Sequence, residues 1–124
     1  MNIYQTEARE RWGDTAAYRE QAEKTKHYTK EQWAEANDGL MAIFAELGGC
    51  KNNGARADSV AAQAAVAKLQ AHITAYYYTC TDELLAGLGK MYVADERFKK
   101  NIDSYGEGTA DFTAEAIAIF CQEN

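Results

Sequence analysis

Apolar residues recur every three to four positions along most of this chain, and runs of β-branched residues are missing, a pattern that predicts an all-α protein. A short helix is expected over 3–11, closed by Gly13, and Asp14 then caps a segment over 15–26. Thr29 with Gln32 three residues on forms a capping box. It opens a helix over 30–47 whose Trp33, Leu40, Phe44 and Leu47 share one face. Gly48 and Gly49 are expected to stop that helix, and GGCKNNGARA (48–57) to form an exposed loop. Asp58 or Ser59 caps the next helix, over 59–78, where Val66, Leu69, Ile73 and Tyr76 recur at helical spacing. Thr81 caps 82–93, with Leu84, Leu88, Met91 and Tyr92 turned inward. Asp95 begins 95–104, Gly106 and Gly108 break it, and Thr109 caps 110–122 with Phe112, Ile119 and Phe120 on one stripe.

The pattern is not uniform. Residues 1–32 hold only Ile3 among Ile, Leu, Val and Phe; their large apolar groups are mostly Tyr4, Trp12, Tyr18 and Tyr28, set among charges. Such a segment buries too little apolar surface to offset its ordering entropy alone. Residues 33–124 carry a full aliphatic and aromatic set. The expectation is one domain over 1–124: a stable helical body from 33, preceded by a helical arm over 1–32. Two behaviours remain open for the arm, ordering on ligand binding or packing on the body in all states.

Composition narrows the function. At 124 residues the chain suffices for one core. Its net charge of −6 argues against binding nucleic acid directly or coating an anionic membrane. No apolar run approaches the roughly 20 residues of a spanning helix, and no secretory signal pattern opens the chain, so a cytoplasmic monomer is expected. Cys50, Cys80 and Cys121 are widely spaced and odd in number, which suggests neither a zinc site nor a disulfide framework. No cofactor or metal is expected. Proline is absent, leaving long helices uninterrupted.

The densest unusual cluster is Tyr76, Tyr77, Tyr78 and Cys80. Three consecutive helical tyrosines would span roughly 300° of the helix circumference, so they could not all face one core. Taken together they point to a cleft, because an aromatic ring with a polar tip gives a flat ligand large contact area and one hydroxyl to hydrogen-bond. Each alone reads better as a core or merely exposed residue. Cys80 sits beside the helix expected after Thr81, where the dipole favours thiolate; the alternative is a buried small hydrophobe. Cys50 and Cys121 look incidental. His72 either points into the cleft or is structural, and His27 looks solvated. No Ser-His-Asp or Cys-His-Asn arrangement, phosphate loop or metal spacing is present, so an enzyme is not expected.

The string ERWGDTAAYREQAEKTKHYTKEQW (10–33) resembles the opening of the TipAS antibiotic-recognition domain, and HITAYYYTCTDELLAGLGKMYVADERFKKNID (72–103) resembles its central signature. The two strings cover about half the chain in the same order. The resemblance implies a globin-like helical bundle without haem, with a mobile N-terminal arm that closes over a multiring thiopeptide such as thiostrepton. It implies an effector domain of a MerR-type activator or a free-standing drug-binding protein. It also implies that Cys80, matching the cysteine of a Y-x-C-T segment, captures thiopeptides through their dehydroalanine groups. This chain departs from the thiostrepton-binding pattern where a Trp-Phe-Tyr-Asp run is Tyr76, Tyr77, Tyr78 and Thr79, a Pro is Asp82 and a His is Leu85. The family's DNA-binding half is not in this sequence, so the chain itself is not expected to bind DNA.

The expected ligand-binding residues are therefore Trp12, Tyr18 and Trp33 from the arm and its hinge, and His72, Tyr76, Tyr77, Tyr78, Met91 and Tyr92 from the body, with Cys80 as covalent anchor. The partner is a small-molecule or peptide antibiotic. The alternative is a protein-interaction domain whose cleft accepts an amphipathic helix of a partner.

Overall fold

The structure, a computed structural model, describes residues 16–122. The helices expected over 3–11 and the cap at Asp14 lie outside the described residues, as do Trp12 and the side chain of Tyr18. The described chain is all-helical: α1 (Ala16–Thr25), α2 (Lys30–Asn52), α3 (Val60–Tyr76), α4 (Asp82–Ala94), α5 (Glu96–Asp103) and α6 (Thr109–Gln122).

The caps follow local chemistry. Thr29 accepts from the Gln32 backbone N–H at 3.1 Å, and the Gln32 side chain accepts from the Thr29 N–H at 2.8 Å, completing the expected capping box. Ser59, not Asp58, caps α3 through the Ala62 N–H. Thr81 caps α4 through the Leu84 N–H. Asp95 lies just outside α5 and caps it through the Arg97 N–H at 2.9 Å.

The core gathers Leu40, Phe44 and Leu47 of α2, Val66, Leu69 and Ile73 of α3, Leu85, Leu88 and Tyr92 of α4, Phe98 and Ile102 of α5, and Ile117 of α6. Burying each such side chain stabilises the fold by about 1.5–3 kcal/mol relative to leaving it in water. Aromatic edges knit α2, α4 and α5: Phe44 meets Tyr92 at 5.3 Å and near-perpendicular, and Tyr92 meets Phe98 at 5.7 Å.

Five expectations are corrected. Gly48 and Gly49 do not stop α2, which runs on to Asn52; the turn falls at Gly54, with φ of 80°. Gly48 serves close packing instead, since a Cβ there would lie 3.0 Å from both the Cβ and the backbone oxygen of Tyr105. Cys50 is therefore a half-buried helical residue, not a loop thiol. Thr109 does not cap α6; it is the first helical residue and donates back to the Gly106 carbonyl, while the Asp103 carboxylate accepts from the Ala110 N–H at 2.8 Å. The buried stripe of α6 is Thr109, Ala110, Thr113, Ala116 and Ile117, and the larger Phe112, Ile119 and Phe120 are only half-buried. Leu84 likewise is half-buried, and Leu85 takes the inward position.

Small residues face inward on α6 because α4 and α6 approach closely. A Cβ at the buried Gly89 would lie 3.1 Å from Ile117 Cγ2 and 3.3 Å from Ile117 Cβ. Gly89→Val is expected to destabilise the protein by about 1–3 kcal/mol through overpacking, read as a lower urea midpoint with an unchanged slope.

Candidate functional site

The site is built where α3 ends. Both Tyr77 N–H and Tyr78 N–H donate to the Ile73 carbonyl, at 2.8 and 3.1 Å. That shared acceptor closes α3 at Tyr76, two residues before its expected end. Tyr77 and Tyr78 consequently leave the helix and turn inward together, each fully buried. The premise of three helical tyrosines fanning around an axis therefore does not hold. Tyr77, Tyr78, Cys80, Met91 and Tyr92 all lie in the core cluster rather than on an open wall.

In front of them lies a half-exposed aromatic rim. Tyr28 and Trp33 meet edge to face at 5.4 Å, Trp33 reaches Tyr77 at 6.5 Å, and His72 stacks on Tyr76 at 4.6 Å and faces Tyr77 at 6.5 Å. The structure thus brings Trp33, His72, Tyr76 and Tyr77 into one contiguous patch. Tyr28, absent from the expected site, completes it by donating its hydroxyl to the Tyr76 carbonyl at 2.6 Å. Burial, then the neighbouring Tyr76, pushes the Tyr28 phenol above its ordinary value, so it remains a donor at neutral pH. A signal for Tyr28 existed: it immediately precedes the Thr29 cap and packs on Trp33 four residues past that cap, a hydrophobic staple.

His72 is held structurally. Its Nε2 lies 2.8 Å from the Ala36 carbonyl, which can only accept, so Nε2 carries the proton. The ring fills the space where Gly39 lacks a side chain; a Cβ there would collide with it.

Helix α1 lies against this junction through polar links. The exposed Glu20 carboxylate accepts from both the Thr79 N–H at 2.9 Å and the Thr79 hydroxyl at 2.8 Å. The buried described side chains of α1 are Gln21 and Thr25, neither apolar. Both polar atoms of the Gln21 carboxamide are buried without a hydrogen-bond partner, as is the Tyr92 hydroxyl. Neither Glu20 nor Gln21 was foreseen, because periodicity marks apolar contact and says nothing of a polar inner face.

Of the two readings left open for Cys80, the structure shows the buried thiol. Its thiol is buried, 4% exposed, and burial first, then Cys121 and Asp82, pushes it up to about 12. Desolvation outweighs the adjoining helix N-terminus. The backbone around it is tied down: Thr74 accepts from the Cys80 N–H at 3.1 Å, and Gln70 donates to the Cys80 carbonyl at 2.9 Å. Cys121 donates to the Asp82 carbonyl at 3.3 Å, so it anchors the C-terminal end of α6 to the start of α4.

A family model for the TipAS antibiotic-recognition domain matches residues 4–120. The chain belongs to that family. It is 40% identical over 114 residues to the HTH-type transcriptional activator TipA of Streptomyces coelicolor, covering 92% of this chain and 45% of TipA. It is 37% identical over 126 residues to the HTH-type transcriptional activator mta of Bacillus subtilis, covering 100% of this chain and 48% of mta. The chain thus spans about half the length of these activators. A solved structure of nosiheptide in complex with TipAS, from a thiopeptide antibiotic multidrug resistance system of Streptomyces lividans, superposes with a TM-score of 0.85 at 38% identity. That match covers 97% of this chain and 84% of the solved one. The fold is therefore the globin-like helical fold of TipAS. Among the described residues, no helix is long and apolar enough to cross a membrane, and no group of His, Cys, Asp and Glu is arranged to hold a metal.

Three outcomes follow from this geometry. Glu20→Ala removes both bonds to Thr79, and the amides of α1 should exchange faster in the ligand-free protein while those of Leu40, Phe44 and Leu69 do not change; hydrogen exchange by NMR reads both. With its pKa near 12, the Cys80 thiol is about one part in ten thousand thiolate at pH 8. Iodoacetamide should therefore modify the half-buried Cys50 well before Cys80, as read by peptide mass mapping. The same shift has a stability sign: the folded thiol stays neutral while the unfolded one ionises, so this contribution is intact below about 9 and is lost as pH rises toward 12.

Proposed function

We propose that this chain recognises multiring thiopeptide-like antibiotics at the aromatic junction, with the arm over 1–32 as a displaceable cover, in which α1 is the described helix and Tyr28 lies at the hinge. The observation that carries this reading is the contrast between the two sides of that junction. On one side Tyr28, Trp33, His72 and Tyr76 form a half-exposed aromatic rim over the buried Tyr77 and Tyr78. On the other, the buried described side chains of α1 are the polar Gln21 and Thr25, and the helix is clasped by the exposed Glu20. Exposed charge-assisted bonds contribute on the order of 1 kcal/mol each, which a ligand offering aromatic contact area can exceed. Relatives reinforce the reading, since the superposed TipAS holds the thiopeptide nosiheptide.

In this reading the protein binds and does not transform its ligand, and works as a cytoplasmic monomer. It serves either as the effector part of a MerR-type activator or as a free-standing drug sequestrant. Trp12 and Tyr18 belong to the cover, and Tyr77, Tyr78, Met91 and Tyr92 become ligand contacts only as the junction opens. Capture through Cys80 requires the same opening: its thiolate would add to the β-carbon of a dehydroalanine, the carbon–carbon π bond would break, and the α-carbon would take up a proton. The burial of that thiol makes reversible recognition the first event.

Nosiheptide at saturating concentration is expected to raise the melting temperature and to protect residues 16–32 from hydrogen exchange. No thermal shift together with an unchanged exchange profile, across nosiheptide and thiostrepton, would remove the antibiotic reading in favour of a protein partner. Intact mass after denaturation reports the second step, and a mass gain lost in Cys80→Ala would assign the anchor.

A further inference from the structure

We infer that Gln21 is a specificity-determining residue, whose carboxamide pairs with a peptide-type amide of the ligand once α1 is displaced. The inference deepens the antibiotic-recognition reading above and rests on it.

Gln21 is 1% exposed, yet neither its Oε1 nor its Nε2 has a hydrogen-bond partner. The other glutamines with described surroundings behave differently. Gln32 closes the capping box of α2. Gln63 Nε2 donates to the Ala57 and Ala116 carbonyls at 2.9 and 3.1 Å. Gln70 Nε2 donates to the Cys80 carbonyl and the Asp82 carboxylate at 2.9 and 2.8 Å. All three are more exposed than Gln21, and each carboxamide makes at least one hydrogen bond. The most deeply buried of the four carboxamides is thus the unsatisfied one, against the general rule that buried polar groups are paired.

Packing does not explain it. An unbranched apolar side chain of similar volume, such as methionine, would fill the same space without stranding a donor and an acceptor. Nor is Gln21 remote from the site. Its chain neighbour Glu20 grips Thr79, one residue before Cys80, and Thr25 lies one turn on along the same buried face. A carboxamide displays one acceptor and two donors in a plane, which complements the adjoining C=O and N–H of a secondary amide. A charged ligand group would be matched better by a charged side chain. The ligand chemistry picked out is therefore neutral and amide-bearing, as a thiopeptide backbone is. An unsatisfied group in the ligand-free state also weakens the hold on α1, so one residue serves both release and recognition.

Gln21→Met tests this through two opposed signs. In the ligand-free protein the α1 amides should exchange about fivefold or more slowly, because the stranded donor and acceptor are gone. Nosiheptide should bind roughly tenfold or more weakly, because its amide loses its partner. Lys24→Met, at an exposed position of α1, should change neither. Faster or unchanged exchange in Gln21→Met, or unaltered nosiheptide affinity, overturns the inference. If wild-type protein binds nosiheptide and Gln21→Met binds it equally well, only the role of Gln21 falls. If wild-type protein binds neither nosiheptide nor thiostrepton, the antibiotic reading falls and this inference with it.

Discussion

One carbonyl organises the functional end of this molecule. Ile73 O accepts from both Tyr77 and Tyr78, so α3 must end at Tyr76 and the next residues must turn into the core. A helix continued to residue 78 would have thrown at least one tyrosine into water. The reversal instead buries both rings, leaves Thr79 outward as the contact for Glu20, and drops Cys80 beneath the surface before Thr81 starts α4. The aromatic rim, the clasp on α1 and the silence of the thiol all descend from that single termination. It needs no glycine, because Tyr77 holds negative φ at −121°.

The sequence disclosed the fold well where a feature is local. The Thr29–Gln32 box and the Thr81 cap are short-range hydrogen-bond patterns, and each stands as read. The periodic aliphatics Leu40, Phe44, Leu47, Val66, Leu69 and Ile73 are buried as their spacing requires. What misled was the habit of reading size as inwardness and glycine as an end. Gly48 and Gly89 sit inside helices because another element comes too near for a side chain, and only tertiary structure knows that. The same closeness turns alanines and threonines of α6 inward and leaves Phe112 and Phe120 at the margin.

The site was legible in outline and opaque in detail. Trp33, His72, Tyr76 and Tyr77 do converge, because two helices bring residues 33 and 72–77 together. Their ranking by exposure was not readable, since it turns on where α3 stops. Magnitude decides between the two readings of Cys80: a helix dipole favours a thiolate by up to about 2 kcal/mol in favourable geometry, whereas full desolvation of a charge costs more. The polar buried side chains of α1 lay beyond any periodicity, and they are the feature on which the proposed binding behaviour rests.

Those side chains bear on how a ligand could gain entry without sacrificing stability elsewhere. Among the described residues, the core cluster lies wholly in the body from α2 to α6, and the largest buried side chains belong to that body. Helix α1 adds a clasp at Glu20, a short hydroxyl bond from Thr25 to its own Gln21 carbonyl, and a carboxamide left wanting. On the proposed reading, lifting it would forfeit no buried apolar side chain among the described residues of α1 and would relieve one unsatisfied group. A ligand shifts such an equilibrium only by the difference in its affinity for the two states. On the proposed reading, a nearly balanced cover makes the cost of opening small, so most of the contact energy with the rim would appear as affinity rather than being consumed in opening. A cover held by leucines would reverse the proportion. On that reading, the sparse aliphatics of the first thirty-two residues are what lets the cover yield to a bulky guest.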